Sequence, residues 1–251
     1  MQHLPLTIRA IVDTAQLIPI TVGMSGDDVY RVEADAYYYL KIGESLTDEY
    51  ERLLWLDGKL PIPKVIHYEV SHGKHYLLTS AIAGEMLQEV DLPIEKRIAL
   101  VAQAARMWHA IPIVDCPFLW DTNTQIADAR HQLDHKRVDA SQFAACWYGK
   151  SEHELFADLL NAMPNTKEDF VLIHGDLCLP NILVDSQTQS ITGFVDLGNV
   201  SVSDRHLELT TSAWSIGYNW GSKYIPQFYE QYGSEHHAEK SHFYSILGEF
   251  V

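Results

Sequence analysis

The hydrophobic period changes near Gly84, and that change limits what the chain can fold into. Before it, residues 17–23, 28–32 and 37–42 are short β-branched or aromatic runs. Turn-prone Gly23-Met24-Ser25-Gly26 and Ala34-Asp35 separate them. Residues 45–58 break this pattern with a Ser or Thr cap, early acids, apolar Tyr50, Leu53 and Leu54, and a closing Gly58, which together predict one helix. After Pro61 and Pro63, residues 64–70 and 75–79 read as strands again. Beyond Gly84, Ile94, Ile98, Val101, Ala105 and Trp108 fall on one face of a helix that Pro93 can open. Further helices are expected at about 121–136, 152–162, 206–217, 223–232 and 238–249, interrupted by short strands within 170–195. The pattern predicts an α+β chain with a β-rich lobe over 1–80, a connector at 81–84 and a mainly helical lobe over 85–251.

A chain of 251 residues has room for such a core. Its 47% hydrophobic content argues against disorder. Eighteen Lys and Arg against 34 Asp and Glu leave a formal charge of −16, a field that repels nucleic acid and anionic membranes and attracts cations. No apolar run is long enough to cross a bilayer, and the first residues lack the basic start and apolar core of a signal peptide. The odd, widely spaced Cys116, Cys146 and Cys178 suggest reduced thiols in a cytoplasm.

The densest chemistry lies in IHGDLCLPNILVD, residues 173–185, where Asp176 and Asn181 sit five apart between two apolar runs. Alone, that spacing is a common turn. A second apolar run, ITGFVDLG, ends in Asp196 and turns at Gly198. Phosphoryl transfer needs a carboxylate to orient and deprotonate the attacking hydroxyl, and hard oxygen ligands for magnesium on the nucleotide phosphates. Asp176 suits the first role, Asn181 and Asp196 the second. In the first lobe, Lys41 closes YYYLKI, and Glu49 on the expected helix can pair with it. GMSGDDVYRV lies between two strands, where backbone N–H groups and the Ser25 hydroxyl can reach phosphate, although it has no Gly-x-Gly-x-x-Gly pattern. Loop, Lys, Glu, connector, Asp…Asn, Asp is the order of parts in a protein-kinase-like phosphotransferase.

HGDLCLPNILVD, GFVDLG, GMSGDDVY, LLWLDGKLPIPKV, HAIPIVDCPF and the closing FYSILGEFV resemble the aminoglycoside phosphotransferase family, most of all its 3′-phosphotransferase (kanamycin kinase) branch. The resemblance runs from about residue 20 to the end. It implies a bilobal protein-kinase-like fold, with Asp176 catalytic, Asn181 and Asp196 on Mg2+, Lys41 on the α- and β-phosphates of ATP or GTP, and Glu49 as its helical partner. It also places Tyr39 against the nucleotide base, and Ser80 and Ile82 on the hinge that bonds the base edge. His174 is expected to support the loop rather than act as a base. The implied acceptor is a small molecule, a cationic aminoglycoside, with Glu249, Phe250 and Asn199 near it; a monomer or weak dimer is expected.

The chain departs from that pattern on the acceptor side. In residues 139–156, Ser141, Gln142, Ala144, Ala145 and Cys146 stand where relatives place several acids. Asn199 replaces an arginine after Asp-x-Gly, Trp214 falls near another expected arginine, and Gly248 stands where one of two closing acids would be. A changed acceptor, another hydroxylated metabolite, is therefore the competing reading. A non-catalytic nucleotide-binding module is a weaker one, because Lys41, Asp176 and Asp196 are all retained. A metal-dependent hydrolase is weaker still, because the 13 histidines include no HExxH.

Overall fold

The computed structural model describes residues 4–12, 15–20, 27–34 and 36–251. In chain order the first elements are α1 (Leu6–Val12), β1 (Gln16–Ile20), β2 (Asp28–Glu33), β3 (Tyr37–Gly43), α2 (Thr47–Leu56), β4 (Val65–Ser71), β5 (Lys74–Ser80) and β6 (Glu85–Met86). There follow α3 (Ile94–His109), α4 (Thr122–Asp134), α5 (Glu152–Asn161), β7 (Phe170–Ile173), β8 (Ile182–Asp185), β9 (Ser190–Phe194), β10 (Ser201–Asp204), α6 (Arg205–Trp220), α7 (Ile225–Tyr232) and α8 (Ala238–Leu247). The chain is mixed α+β and folds as two compact units. One comprises the residues up to Val90 together with Asn181–Asn199; the other comprises Asp91–Pro180 and Val200–Val251.

The first unit is built on an antiparallel sheet of order β1-β2-β3-β5-β4. Ile8 and Val12 of α1 pack with Val32, Leu40, Tyr76 and Leu78 to form its core. The helix α1 was not expected: seven residues are too few to show a period, and it is held by two apolar anchors while Leu6 stays exposed. The helix expected at 45–58 forms over Thr47–Leu56 without its Ser or Thr cap. Leu46 takes the cap position, its N–H donating to His75 Nδ1 at 3.2 Å, and the Thr47 hydroxyl bonds the Tyr68 hydroxyl at 3.0 Å. Tertiary partners thus replace the local cap. A second sheet, β6-β8-β9, joins the same unit.

In the second unit, β7 and β10 pair antiparallel, with Ile173 opposite Ser201. Phe143, Phe156, Phe243, Leu247 and Phe250 are among its buried core. Helix starts here follow local rules: the Asp121 side chain caps α4, and Ser151 with Glu154 forms a reciprocal capping box on α5. Among the described residues, Cys116, Cys146 and Cys178 form no disulfide. Among the described residues, no helix is long and apolar enough to cross a membrane.

Candidate active site

In the first unit, strand alternation sets the site's geometry. Leu40 of β3 is buried in the core, so Tyr39 and Lys41 project from the opposite face of the sheet. Lys41 Nζ donates to Glu49 Oε2 at 2.9 Å, lies 3.6 Å from Asp196 Oδ1 and 3.7 Å from Asp27 Oδ2. Burial opposes the ammonium charge. Glu49, Asp196 and Asp27 together overcome that penalty and hold the Lys41 pKa above its ordinary value. Burial pushes the Glu49 carboxyl up, against the pull of Lys41, and Asp196 and Asp27 add to the rise. Three carboxylates around one ammonium leave excess negative charge, a setting suited to a cation. Asp27 comes this close because its partner is Gly43: a Cβ there would lie 2.1 Å from Asp27 Oδ1.

Asn181 and Asp196 lie at matching ends of the β8–β9 hairpin. Ile182 pairs with Phe194, and the Val195 N–H donates to the Asn181 carbonyl at 3.1 Å. Asp196 has φ +61°, a left-handed conformation that costs a non-glycine residue ~1–3 kcal/mol and turns its side chain out to solvent. Among the described residues, no cluster of three or more His, Cys, Asp or Glu is arranged to hold a metal. The hard-oxygen pair Asn181 and Asp196 is the donor set magnesium accepts when phosphates and water complete its shell. The two residues therefore fit that ion.

Ser80 ends β5, and Ile82 lies two residues beyond it in the same unit. The Ser80 N–H donates to the Lys64 carbonyl and the Ala81 N–H to the Tyr37 carbonyl, so both amides are committed to the sheet. The Ile82 side chain rests on Gly193, where a Cβ would meet it at 2.6 Å. Ser25 lies outside the described residues. Asn199 is exposed in the turn after Asp196.

In the second unit, β7 runs into His174, which is fully buried and makes an edge contact with Trp108 at 5.1 Å. Its Nδ1 accepts from the Asp176 N–H at 3.3 Å, so this nitrogen carries no proton and the imidazole shapes the loop. Helix α6 holds the rest. The fully buried Glu208 carboxylate accepts from the His174 and Gly175 N–H groups, each at 3.1 Å. The Ser212 hydroxyl donates to the Leu177 carbonyl and the Ser215 hydroxyl accepts from the Leu179 N–H, both at 3.0 Å. Asp176 is thus carried on a loop clamped at 174, 175, 177 and 179. None of Glu208, Ser212 and Ser215 was singled out from sequence. Their signal was there, as polar residues at i, i+4 and i+7 on the apolar face of a helix.

The same unit brings together the chain end and the segment that breaks the family pattern. Glu249 accepts from the Ala144 N–H at 3.2 Å, and burial raises its pKa against hydrogen bonds from Ala144 and Trp147. The Phe250 ring is buried, 5.7 Å from Phe156 and 6.3 Å from Phe143, so it serves the core. Asp139 accepts from the Ser141 N–H, Glu152 from the Ala140 N–H and Glu154 from the Ser151 N–H.

A strand-borne Lys–Glu pair, an Asp-loop clamped by a helix and an Asp–Asn pair on a hairpin define a class of phosphoryl-transfer protein. The chain belongs to the phosphotransferase enzyme family, whose model matches residues 16–242. It is 32% identical to the aminoglycoside 3′-phosphotransferase of Niallia circulans, over 98% of this chain and 97% of the relative. The crystal structure of an aminoglycoside 3′-phosphotransferase of type VIII matches with TM-score 0.87 and 28% identity, covering 98% of this chain and 97% of that one. The aminoglycoside phosphotransferase APH(3′′)-Id of Streptomyces rimosus, in complex with ADP and streptomycin, matches with TM-score 0.84 and 26% identity, over 97% and 95% of the two chains. The fold is therefore the kinase-like one that the resemblance implied.

Proposed function

We propose that this chain transfers the γ-phosphoryl group of ATP or GTP to a hydroxyl of an aminoglycoside, at the 3′ position, with Mg2+ as cofactor. The observation that carries the reading is the Lys41–Glu49 ion pair at 2.9 Å with Asp196 3.6 Å from the same ammonium. The names of the relatives support the acceptor class.

In this mechanism Lys41, fixed by Glu49, binds the α- and β-phosphates and offsets charge as the terminal phosphoryl group leaves. Tyr39 packs against the base. Asn181 and Asp196 hold magnesium, which supplies charge neutralisation on the phosphate oxygens. Asp176 accepts a hydrogen bond from the acceptor hydroxyl, orients its oxygen for in-line attack and takes its proton late. The clamp from Glu208, Ser212 and Ser215 makes Asp176 a preorganised group, so little reorganisation is needed as the bond forms. Glu249 contributes a carboxylate to the acceptor.

The test is a coupled nucleotide-turnover assay with magnesium across an aminoglycoside panel, followed by positional analysis of the product. Stimulation by at least one member and a 3′-phosphate are expected. No stimulation by any member would sink the acceptor class, and phosphate on another hydroxyl would sink the position.

A further inference from the structure

Glu208, which holds the loop of Asp176, is itself faced by a chain of side chains drawn from three helices. Its buried Oε1 lies 3.6 Å from Nε2 of His109, the last residue of α3. That nitrogen is buried and has no hydrogen-bond partner among the described residues. His109 Nδ1 is 2.7 Å from the hydroxyl of Tyr232, the last residue of α7, and Nη1 of Arg205, the first residue of α6, donates to that hydroxyl at 2.9 Å. Asp169 fixes the same guanidinium, accepting from its Nε at 2.5 Å and its Nη2 at 3.1 Å. This bonding order sets the imidazole tautomer. The Tyr232 oxygen already accepts from Arg205, and burial raises its pKa, so the phenol keeps a proton to donate. Donated to His109 Nδ1, it leaves the ring's own hydrogen on Nε2, facing the carboxylate. The other tautomer would turn a lone pair toward a buried carboxylate oxygen, where the repulsion is strongest.

We propose that His109 and Tyr232 are positioning residues for Asp176: Tyr232, fixed by Arg205, holds His109 with its Nε2–H toward Glu208, and this keeps the Glu208 carboxylate aimed at the His174 and Gly175 N–H groups. The inference rests on the phosphotransferase reading above and adds two residues, from α3 and α7, to its machinery. At 3.6 Å the imidazole acts on Glu208 through its field, since the separation is too long for a direct hydrogen bond. That field matters because a fully buried carboxylate has no solvent to fall back on when a donor turns away. The loop amides are then held from behind by α6, and α6 in turn by the ends of α3 and α7.

Steady-state kinetics of the full chain with magnesium nucleotide and kanamycin, or the panel aminoglycoside turned over fastest, test this. His109→Leu is expected to lower kcat about tenfold with nucleotide KM little changed, since what is lost is the placing of Asp176. His109→Gln, whose amide nitrogen stands near the position of Nε2, is expected to restore most of that loss. Tyr232→Phe is expected to lower kcat about threefold alone and to have no further effect in His109→Gln, where there is no tautomer to fix. A kcat unmoved by His109→Leu, or a Tyr232→Phe effect equal in both backgrounds, overturns the relay and leaves the phosphotransferase reading intact. If the parent phosphorylates no aminoglycoside, that reading fails, and two measurements that need no turnover decide the relay. Nitrogen chemical shifts of the His109 ring are expected to show a bare Nδ1 and a protonated Nε2. Hydrogen exchange at the His174 and Gly175 amides is expected to quicken about tenfold in His109→Leu. A protonated Nδ1, or unchanged exchange, overturns it.

Discussion

Lys41 is surrounded by more carboxylate than it can neutralise, and this makes its partners unequal. Glu49 is buried and bonds it directly, whereas the Asp196 side chain is 54% exposed and open to a cation. Lys41→Met is expected to raise the nucleotide KM strongly, and Glu49→Gln to do so less, because an amide still positions the ammonium by hydrogen bonding. Asp176→Ala is expected to lower kcat by at least a hundredfold with nucleotide affinity retained, measured by turnover against equilibrium nucleotide binding. Equal losses in both would remove Asp176 from the proton-transfer role. Glu249 carries a pH prediction. Its folded pKa is raised above 4.5, so the folded form holds the proton more tightly than the unfolded chain. That contribution to stability is lost as pH rises through the carboxylate range. Glu249→Gln should therefore raise Tm at pH 7 and flatten its dependence on pH near 5, while weakening a cationic acceptor. A lower Tm at pH 7 would contradict the assignment.

Helix α6 is the element that holds the loop of Asp176. Its capping Asp204 accepts from the His206 N–H, and its stripe Glu208, Ser212, Ser215 faces the loop. Each neutral hydrogen bond contributes about 0.5–1.5 kcal/mol, and the bonds to the Glu208 carboxylate about 1.5–3 kcal/mol. Ser212→Ala combined with Ser215→Ala is expected to lower stability by ~1–3 kcal/mol in denaturant melts and to reduce kcat while sparing nucleotide KM. Unchanged kcat would mean that the loop holds its shape without the helix. The helix itself is legible at 206–217, but its buried polar stripe is not, because periodicity ranks residues by hydropathy and says nothing of which partner they meet. The α2 start was misread for a related reason: Ser45 and Thr47 had cap chemistry, but His75 and Tyr68, far along the chain, supplied the partners.

Over the whole molecule, the net charge of −16 acts at long range. The KM of a cationic acceptor is expected to rise several-fold between low and physiological salt, with nucleotide KM moving much less. An acceptor KM independent of ionic strength would remove the field from acceptor capture. The residues assigned to the proposed reaction stand out in sequence because each lies in a short motif with its own chemistry: Asp176 and Asn181 on one loop, Asp196 ending an apolar run, Lys41 ending another. The change of period near Gly84 likewise disclosed the β-rich and helical halves. Tertiary structure alone decided that Asn181–Asn199 packs with the residues up to Val90, since strand pairing of β6 with β8 is long-range and leaves no local trace. It alone decided that Asp27 reaches Lys41 across Gly43, that Phe250 enters the core, and that Glu208 grips the loop of Asp176. Local spacing fixes which groups the chain owns; which of them meet is settled by burial and hydrogen-bond satisfaction among residues distant in sequence.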